Sequence, residues 1–286
     1  MKIGVMVESF RAGLDGGLAA AAQVGAQGVQ IYATSGQMHP DNLVGKARGA
    51  LKRRIENMGL TVSALCGDFG GHGFQNAREN PKRIDDSKKI LDLTLDLGCT
   101  VVTTHVGVVP ADKAHPRYAI MAKAGEQLGR YGEKIGATFA IETGPEPAAV
   151  LRAYLDDIGI AKGIGVNFDP ANLVMLYQEN IPEAVACLAP YIVHTHAKDG
   201  KMLKKSDIEV LFGLRPPPGD DVVLWKDYIL ELPLGLGGVK FDTYLPALKK
   251  AGFDGFLTIE REVGEDPRKD IEMAVGFLKD KIEKLK

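Results

Sequence analysis

Four residues in this chain have the types and spacing to do chemistry together: Glu142, Asp169, His196 and Glu260. Each stands where a short, largely apolar run stops: Gly136 to Glu142 (GATFAIE), Gly165 to Asp169 (GVNFD), Tyr191 to His196 (YIVHTH) and Gly255 to Glu260 (GFLTIE). In a parallel barrel such strand ends converge on one face, where that architecture keeps its reactive groups. Three carboxylates and one imidazole facing each other suit a single divalent cation, Mn²⁺ or Mg²⁺, with Co²⁺ and Zn²⁺ as alternatives. Three carboxylates exceed the charge of such an ion by one, which leaves a basic carboxylate beside it for proton transfer. Taken singly, an acidic residue at a strand end more often caps the next helix, and Asp169-Pro170 alone reads as the start of a turn. Four tips of ligand type on strands five to eight are what carry the metal site.

A second set is expected to line the pocket. His105 closes Thr103-Thr104-His105 at the tip of strand four and is a candidate for substrate contact. Lys198 shares the inward face of His196 at the mouth and is placed to hydrogen-bond a substrate hydroxyl. His194, one layer deeper on that face, is expected to orient its neighbours rather than ligate. Glu8, Tyr32, Cys66 and His72 stand at the ends or following loops of strands one to three and are expected to line the pocket. His39 and His115 fall in polar loops and are expected to be exposed. Gly70-Gly71-His72-Gly73 lacks the strand–GxGxxG–helix setting of a dinucleotide site, and the chain has no Gly-Lys-Ser/Thr, Gly-x-Ser-x-Gly or Cys-x-x-Cys pattern.

The elements that must hold these residues recur in one rhythm, a short β-branched run followed by a segment of helical period. Strands are expected at Lys2–Val7, Gly28–Tyr32, Leu60–Cys66, Thr100–His105 and Ala137–Glu142, then in the runs ending at Asp169, His196 and Glu260. Helices are expected at Asp15–Val24, Asp41–Met58, Pro81–Leu97, Tyr118–Ile135, Pro147–Asp157, Asn180–Leu188, Phe241–Ala251 and Asp266–Leu285. Eight such alternations without a seam predict a closed (β/α)8 TIM barrel, α/β in class, forming a single domain over residues 1–286. Period two then places Gly4, Met6 and Glu8 on one face, as it does Thr138, Ala140 and Glu142, Asn167 and Asp169, His194 and His196, and Thr258 and Glu260. The rhythm breaks once, between Asp199 and Gly238, in a segment of about forty residues that contains Pro216-Pro217-Pro218-Gly219. An insertion 199–238 after strand seven is expected to act as a lid or as a subunit contact, the latter making a homo-oligomer.

Bulk properties exclude several classes. The 286 residues are 45% hydrophobic and 25% charged, the balance of a globular protein with a full core. A formal net charge of −2 gives no reason to expect nucleic acid as a partner. No run is long and apolar enough for a membrane span, and Met1-Lys2-Ile3-Gly4-Val5 enters a strand directly without a signal peptide. Three widely spaced cysteines, Cys66, Cys99 and Cys187, read as reduced thiols of a cytoplasmic protein.

With these residues in place, the chain resembles the xylose-isomerase-like TIM-barrel superfamily, in the sugar phosphate isomerase/epimerase branch that includes the ketose 3-epimerases. The resemblance runs nearly end to end. Its most specific pieces are Ala140-Ile141-Glu142, Asn167-Phe168-Asp169-Pro170-Ala171-Asn172, His194-Thr195-His196-Ala197-Lys198-Asp199 and Gly252 to Glu260. It implies that Glu142, Asp169, His196 and Glu260 bind one divalent cation, commonly Mn²⁺, and that the partner is a small carbohydrate. It also implies that Glu142 and Glu260 exchange a proton with opposite faces of one carbon, through a metal-stabilised enediolate. The implied activity is isomerisation or epimerisation of a keto sugar or sugar phosphate. Alternatives on the same barrel are dehydration of an inosose-like polyol, repair of apurinic DNA, and non-catalytic sugar binding. Two positions depart from the ketose 3-epimerases. Asn172, counted with the substrate-binding set, stands where they have histidine, and Met202 falls near their substrate-binding arginine. The basic cluster Lys198, Lys201, Lys204 and Lys205 is a candidate phosphate anchor.

Overall fold

The structure is a computed structural model that describes residues 1–219 and 222–285. Its strands are β1 (Lys2–Met6), β2 (Gly28–Tyr32), β3 (Thr61–Cys66), β4 (Val101–Thr104), β5 (Thr138–Glu142), β6 (Ile164–Phe168), β7 (Ile192–Ala197), β8 (Asp199–Met202), β9 (Ile229–Leu232) and β10 (Phe256–Ile259). All but β8 and β9 close a barrel in the order β1-β10-β7-β6-β5-β4-β3-β2, every pairing parallel. The helices are α1 (Gly13–Gln23), α2 (Lys46–Asn57), α3 (Asn80–Asp96), α4 (Pro116–Ile135), α5 (Ala148–Ile158), α6 (Pro170–Tyr177), α7 (Ile181–Leu188), α8 (Ile208–Leu211), α9 (Phe241–Lys250) and α10 (Pro267–Glu283). This is the single (β/α)8 barrel that the alternation predicts.

The two faces of each strand divide as the period of two requires. Val5, Val29, Ile31, Val102, Phe139, Ile141, Val166, Phe168 and Leu257 point outward and are fully buried in the aliphatic layer beneath the helices. Burying each contributes about 1.5–3 kcal/mol. The inward face holds a small separate cluster of Ala64, Val101 and Ala140. It also holds a buried polar set, Gln30, Thr103, Asn167, His194, His196 and Thr258.

Three elements differ from expectation. Strand β1 stops at Met6, and Val7–Phe10 forms a 3₁₀ turn, so Glu8 sits on that turn rather than at a strand tip. Helix α2 starts at Lys46 rather than Asp41, because Gly45 takes a φ of +56° that only glycine adopts freely. Helix α6 follows Asp169 where only a turn was anticipated.

The insertion has its own order. Strands β8 and β9 pair antiparallel as a separate two-stranded sheet. The buried Asp199 carboxylate ties the ends of the insertion together. Its Oδ1 accepts N–H bonds from Gly200 (2.8 Å) and Val239 (3.0 Å), and its Oδ2 accepts from Gly235 and Gly237 (both 2.9 Å). A Cβ on Gly237 would lie 2.2 Å from Asp199 Oδ1, so the residue there has to be glycine. Gly200 packs the hairpin on Met175 of α6, and Glu209 of α8 pairs with Arg117 at the start of α4. Two residues of the insertion, Asp220 and Asp221, lie outside the described residues. Cys66, Cys99 and Cys187 are free, and among the described residues no helix is long and apolar enough to cross a membrane.

Candidate metal centre

The four residues singled out by type and spacing meet. One ligand atom from each of Glu142, Asp169, His196 and Glu260 lies within 4.8 Å of the others, and all four residues are buried. His196 Nδ1 is at the centre, 3.4 Å from Glu142 Oε1, 3.7 Å from Asp169 Oδ2 and 3.3 Å from Glu260 Oε2. Asp169 serves two purposes with two oxygens. Its Oδ1 caps α6 by accepting from the backbone N–H of Ala171 (2.7 Å) and Asn172 (3.2 Å), while Oδ2 faces the site. The helix-cap reading and the ligand reading of Asp169 are therefore compatible.

Asp169 Oδ2 and His196 Nδ1 are buried and have no hydrogen-bond partner. A buried polar atom left unpaired costs about 1–3 kcal/mol, more when charged. A cation bound to both removes that cost, and a donor set of three carboxylates and one imidazole fits a divalent ion of Mn²⁺ or Mg²⁺ character. Burial alone would lower the His196 pKa, but Glu260 and Glu142 outweigh it and hold the imidazole well above its ordinary range.

Below these residues, inward side chains form a continuous hydrogen-bonded layer. His196 Nε2 lies 3.0 Å from Gln30 Oε1, and the Gln30 amide donates to Thr103 Oγ1 (2.8 Å). Asn167 Nδ2 donates to Glu142 Oε2 (3.0 Å), and Asn167 Oδ1 faces His194 Nδ1 (2.9 Å). Thr258 Oγ1 is 3.1 Å from His194 Nε2. His194 thus stands one layer under the centre and orients Asn167. Burial, with His196 beside it, pushes the His194 pKa well down, so that ring is neutral.

Around the centre, His105 Nε2 is 3.6 Å from Glu142 Oε1, and its Nδ1 is 2.9 Å from Asp68 Oδ2. Burial would lower its pKa, but Glu142 and Asp68 carry it up to about 10. Asn172 turns to the carboxylate itself, its Nδ2 donating to Glu142 Oε1 (3.2 Å) and to the Thr143 carbonyl (3.1 Å). Lys198 is buried with its ammonium 2.9 Å from Glu260 Oε2 and paired with Glu262. Tyr32 and Cys66 sit beside each other near the carboxylates. Burial raises the Cys66 thiol, and Cys66, burial and the two glutamates raise the Tyr32 phenol, so both are neutral. Glu8 is more peripheral, its Oε1 accepting from the Tyr32 backbone N–H (3.1 Å). His72 is exposed, and among the described residues no hydrogen bond or ion pair joins its imidazole to the four. Lys201, Lys204 and Lys205 are exposed, with Lys204 lying over the Tyr228 ring.

Sequence reasoning passed over Gln30, Asp68, Glu146, Glu231 and Glu262. Gln30 had a signal, a lone amide at inward parity in the aliphatic run Gly28-Val29-Gln30-Ile31-Tyr32. Asp68 and Glu146 lie in loops without a period. Glu146 accepts the Val109 backbone N–H (3.1 Å), and burial raises its carboxyl to about 8.

Fold and site together define a class, and this chain belongs to the xylose isomerase-like TIM barrel family, whose pattern matches residues 18–281. Among solved structures it is similar to a xylose isomerase domain protein from Planctomyces limnophilus, at 27% identity and a TM-score of 0.80, over 99% of this chain and 98% of that one. A D-tagatose 3-epimerase-like protein superposes with a TM-score of 0.74 at 20% identity over the whole of both chains. A 3-keto-D-glucoside 4-epimerase from E. coli superposes with a TM-score of 0.68 at 15% identity, over 98% of this chain and 99% of that one. The last two likenesses establish the shared fold. No curated protein sequence matches this chain.

Proposed function

We propose that this protein is a sugar-modifying enzyme, an isomerase or epimerase of a keto sugar that works with one divalent cation held by Glu142, Asp169, His196 and Glu260. The supporting observation is the pair of buried acceptors, His196 Nδ1 and Asp169 Oδ2, left unpartnered within a ring of three carboxylates. Two structural neighbours, named as a D-tagatose 3-epimerase-like protein and a 3-keto-D-glucoside 4-epimerase, support the substrate class. When bound, a divalent cation polarises a carbonyl and its adjacent hydroxyl, which lowers the barrier to removing the neighbouring C–H proton by several kcal/mol.

The residues of the chain then divide the work. Glu142 and Glu260 approach His196 from β5 and β10, with β6 and β7 between them. A sugar carbon held above His196 would present different faces to the two carboxylates. One takes the proton and the other returns one, a positioned acid/base pair contributing ~10²–10⁴-fold. Asn167 and Asn172 fix Glu142, and Lys198 fixes Glu260. His105, braced by Asp68, is placed to hold a substrate hydroxyl beside Glu142. Lys198 is already shared among Glu260, Glu262 and Glu231, so it is not free to take a phosphate. That favours an unphosphorylated sugar.

The test is a screen of ketoses, aldoses, inososes and their phosphates in D₂O, with metal-stripped protein and added Mn²⁺. Metal-dependent deuterium at the carbon next to the carbonyl of an unphosphorylated ketose is expected. A product lighter by one water would move the reaction to dehydration. No turnover of any sugar with any metal would overturn the proposal.

A further inference from the structure

Glu231 belongs to β9, in the insertion, yet its carboxylate comes within 3.8 Å of Lys198 Nζ beside the candidate metal centre. Its side chain is 7% exposed. Oε1 accepts from Arg261 Nη1 (2.6 Å) and from the Glu262 backbone N–H (3.1 Å), and Oε2 lies 3.8 Å from Lys198 Nζ. Arg261 is held in turn by Asp270, through Nε at 2.8 Å, and its backbone N–H by Ser9 Oγ at 3.0 Å. Lys198 is as enclosed, its side chain 5% exposed, and its ammonium sits 2.9 Å from Glu260 Oε2. That oxygen is the one lying 3.3 Å from His196 Nδ1. A single path therefore runs from the inserted hairpin through Lys198 to the ligand oxygen of Glu260.

We infer that Glu231 is a positioning residue of the metal centre, which makes the inserted hairpin part of that centre. The inference rests on the metal-site reading above. Together with Glu262, which pairs directly with the ammonium, Glu231 balances the Lys198 charge beside Glu260 from within the enclosed site. Two consequences of losing the Glu231 charge act in the same direction. A buried ammonium short of counter-charge pulls harder on Glu260 Oε2, displacing it from the other three ligands. The same ammonium repels an incoming divalent cation more strongly, because a buried charge is poorly screened. Partners that orient ligands from outside typically change metal affinity by about 10–100-fold when lost.

The experiment titrates Mn²⁺ calorimetrically into metal-free wild type, Glu231→Gln, Glu231→Asp, Lys198→Met and the Lys198→Met/Glu231→Gln double variant. Glu231→Gln is expected to weaken Mn²⁺ binding about tenfold. Glu231→Asp, which keeps the charge, should recover most of that loss. In the Lys198→Met background, with no ammonium left to balance, adding Glu231→Gln should change affinity less than twofold. A role confined to packing the hairpin would instead produce the same loss in both backgrounds. That result, or wild-type affinity in Glu231→Gln, would overturn the inference while leaving the metal site standing. Should Glu231→Gln fail to fold, Glu231→Ala replaces it in both backgrounds, and wild-type affinity in Glu231→Ala, or an equal loss with and without Lys198, refutes the inference. Absence of Mn²⁺ binding by the wild type would instead remove the metal reading and this inference with it.

Discussion

His196 on β7 and Gln30 on β2 meet inside the barrel, with Nε2 of the imidazole 3.0 Å from the amide Oε1. Thr103 Oγ1 accepts from the Gln30 amide nitrogen, so the carbonyl oxygen is the end that faces His196. An oxygen there can only accept, which favours the imidazole hydrogen on Nε2, the nitrogen that Asn167 Nδ2 also approaches at 3.2 Å, and leaves the lone pair of Nδ1 directed at Glu142, Asp169 and Glu260. The tautomer that a metal ligand needs is thus set from below, by a residue on the far side of the lumen.

Replacing Gln30 should therefore affect the metal before the fold. Gln30→Met keeps the volume and removes the acceptor, and Mn²⁺ affinity is expected to fall ~10–100-fold. Gln30→Glu, which keeps an oxygen at that position, should bind more tightly than Gln30→Met. Equal affinity in the wild type and Gln30→Met, by calorimetric titration, would show that the contact does not set the tautomer.

Removing a ligand is a harsher test. Purified protein is expected to carry one divalent ion per chain, and Asp169→Ala or His196→Ala to carry none, by elemental analysis after dialysis. Asp169→Ala also removes the cap of α6, at a cost of about 0.5–2 kcal/mol, so it should melt lower than His196→Ala in the metal-free state. Full occupancy in both variants would dismiss the site.

What could be read in the sequence was what repeats. The four residues of the candidate metal centre stood out because each ends an apolar run, and a parallel barrel turns that shared position into proximity. The inward parity of Asn167, His194 and Thr258 was legible for the same reason. Helix α6 was hidden because Pro170 to Tyr177 is buried almost all round and shows no polar stripe to mark a helical period. Asp68 is paired with His105, and Glu231 with Lys198 and Arg261, only through tertiary contact. Nothing local distinguishes either acid from a solvated one.

Glu146 should leave a signature in stability against pH. Burial raises its carboxyl from 4.5 to about 8, so the folded state keeps a proton that the unfolded chain releases once pH exceeds 4.5. Stability from this group is fully present below pH 4.5 and is lost as pH rises to about 8. Glu146→Gln has no proton to lose there, so wild type should lose melting temperature relative to the variant between pH 5 and 8.5, by roughly 5 °C. Parallel melting curves across that range would mean the carboxyl titrates normally.

The insertion offers a separable test. Cutting residues 204–227 back to a short turn between β8 and β9 keeps the Asp199 anchor and Glu231 while removing α8 and its Glu209–Arg117 pair. If that stretch covers the pocket, KM for the sugar should rise at least about tenfold with metal affinity unchanged. If it joins subunits, the trimmed protein should run as a monomer in sedimentation. A trimmed protein of unchanged mass and unchanged KM would exclude both roles.

The two glutamates decide the mechanism. Glu→Gln keeps a carbonyl oxygen to ligate but cannot carry a proton, so turnover per bound metal should fall by about 10²–10⁴ while some metal remains. The variants should differ in metal retention. Glu142→Gln keeps an acceptor for only one of Asn167 and Asn172, which donate to different oxygens, whereas Glu260→Gln strips a charge from the buried Lys198 and should bind metal more weakly. For this reason the rates must be compared per metal bound. If a proton leaves and returns on one face, as in a one-base isomerisation, one variant is severe and the other mild. If epimerisation uses both faces, both are severe, and solvent deuterium appears at the inverted carbon because a carboxylic acid that meets water between turnovers exchanges its proton. Two severe losses with deuterium incorporated are expected. Inverted product without deuterium would refute freely exchanging carboxyls, and near-normal turnover in both variants would refute Glu142 and Glu260 as the acid/base pair.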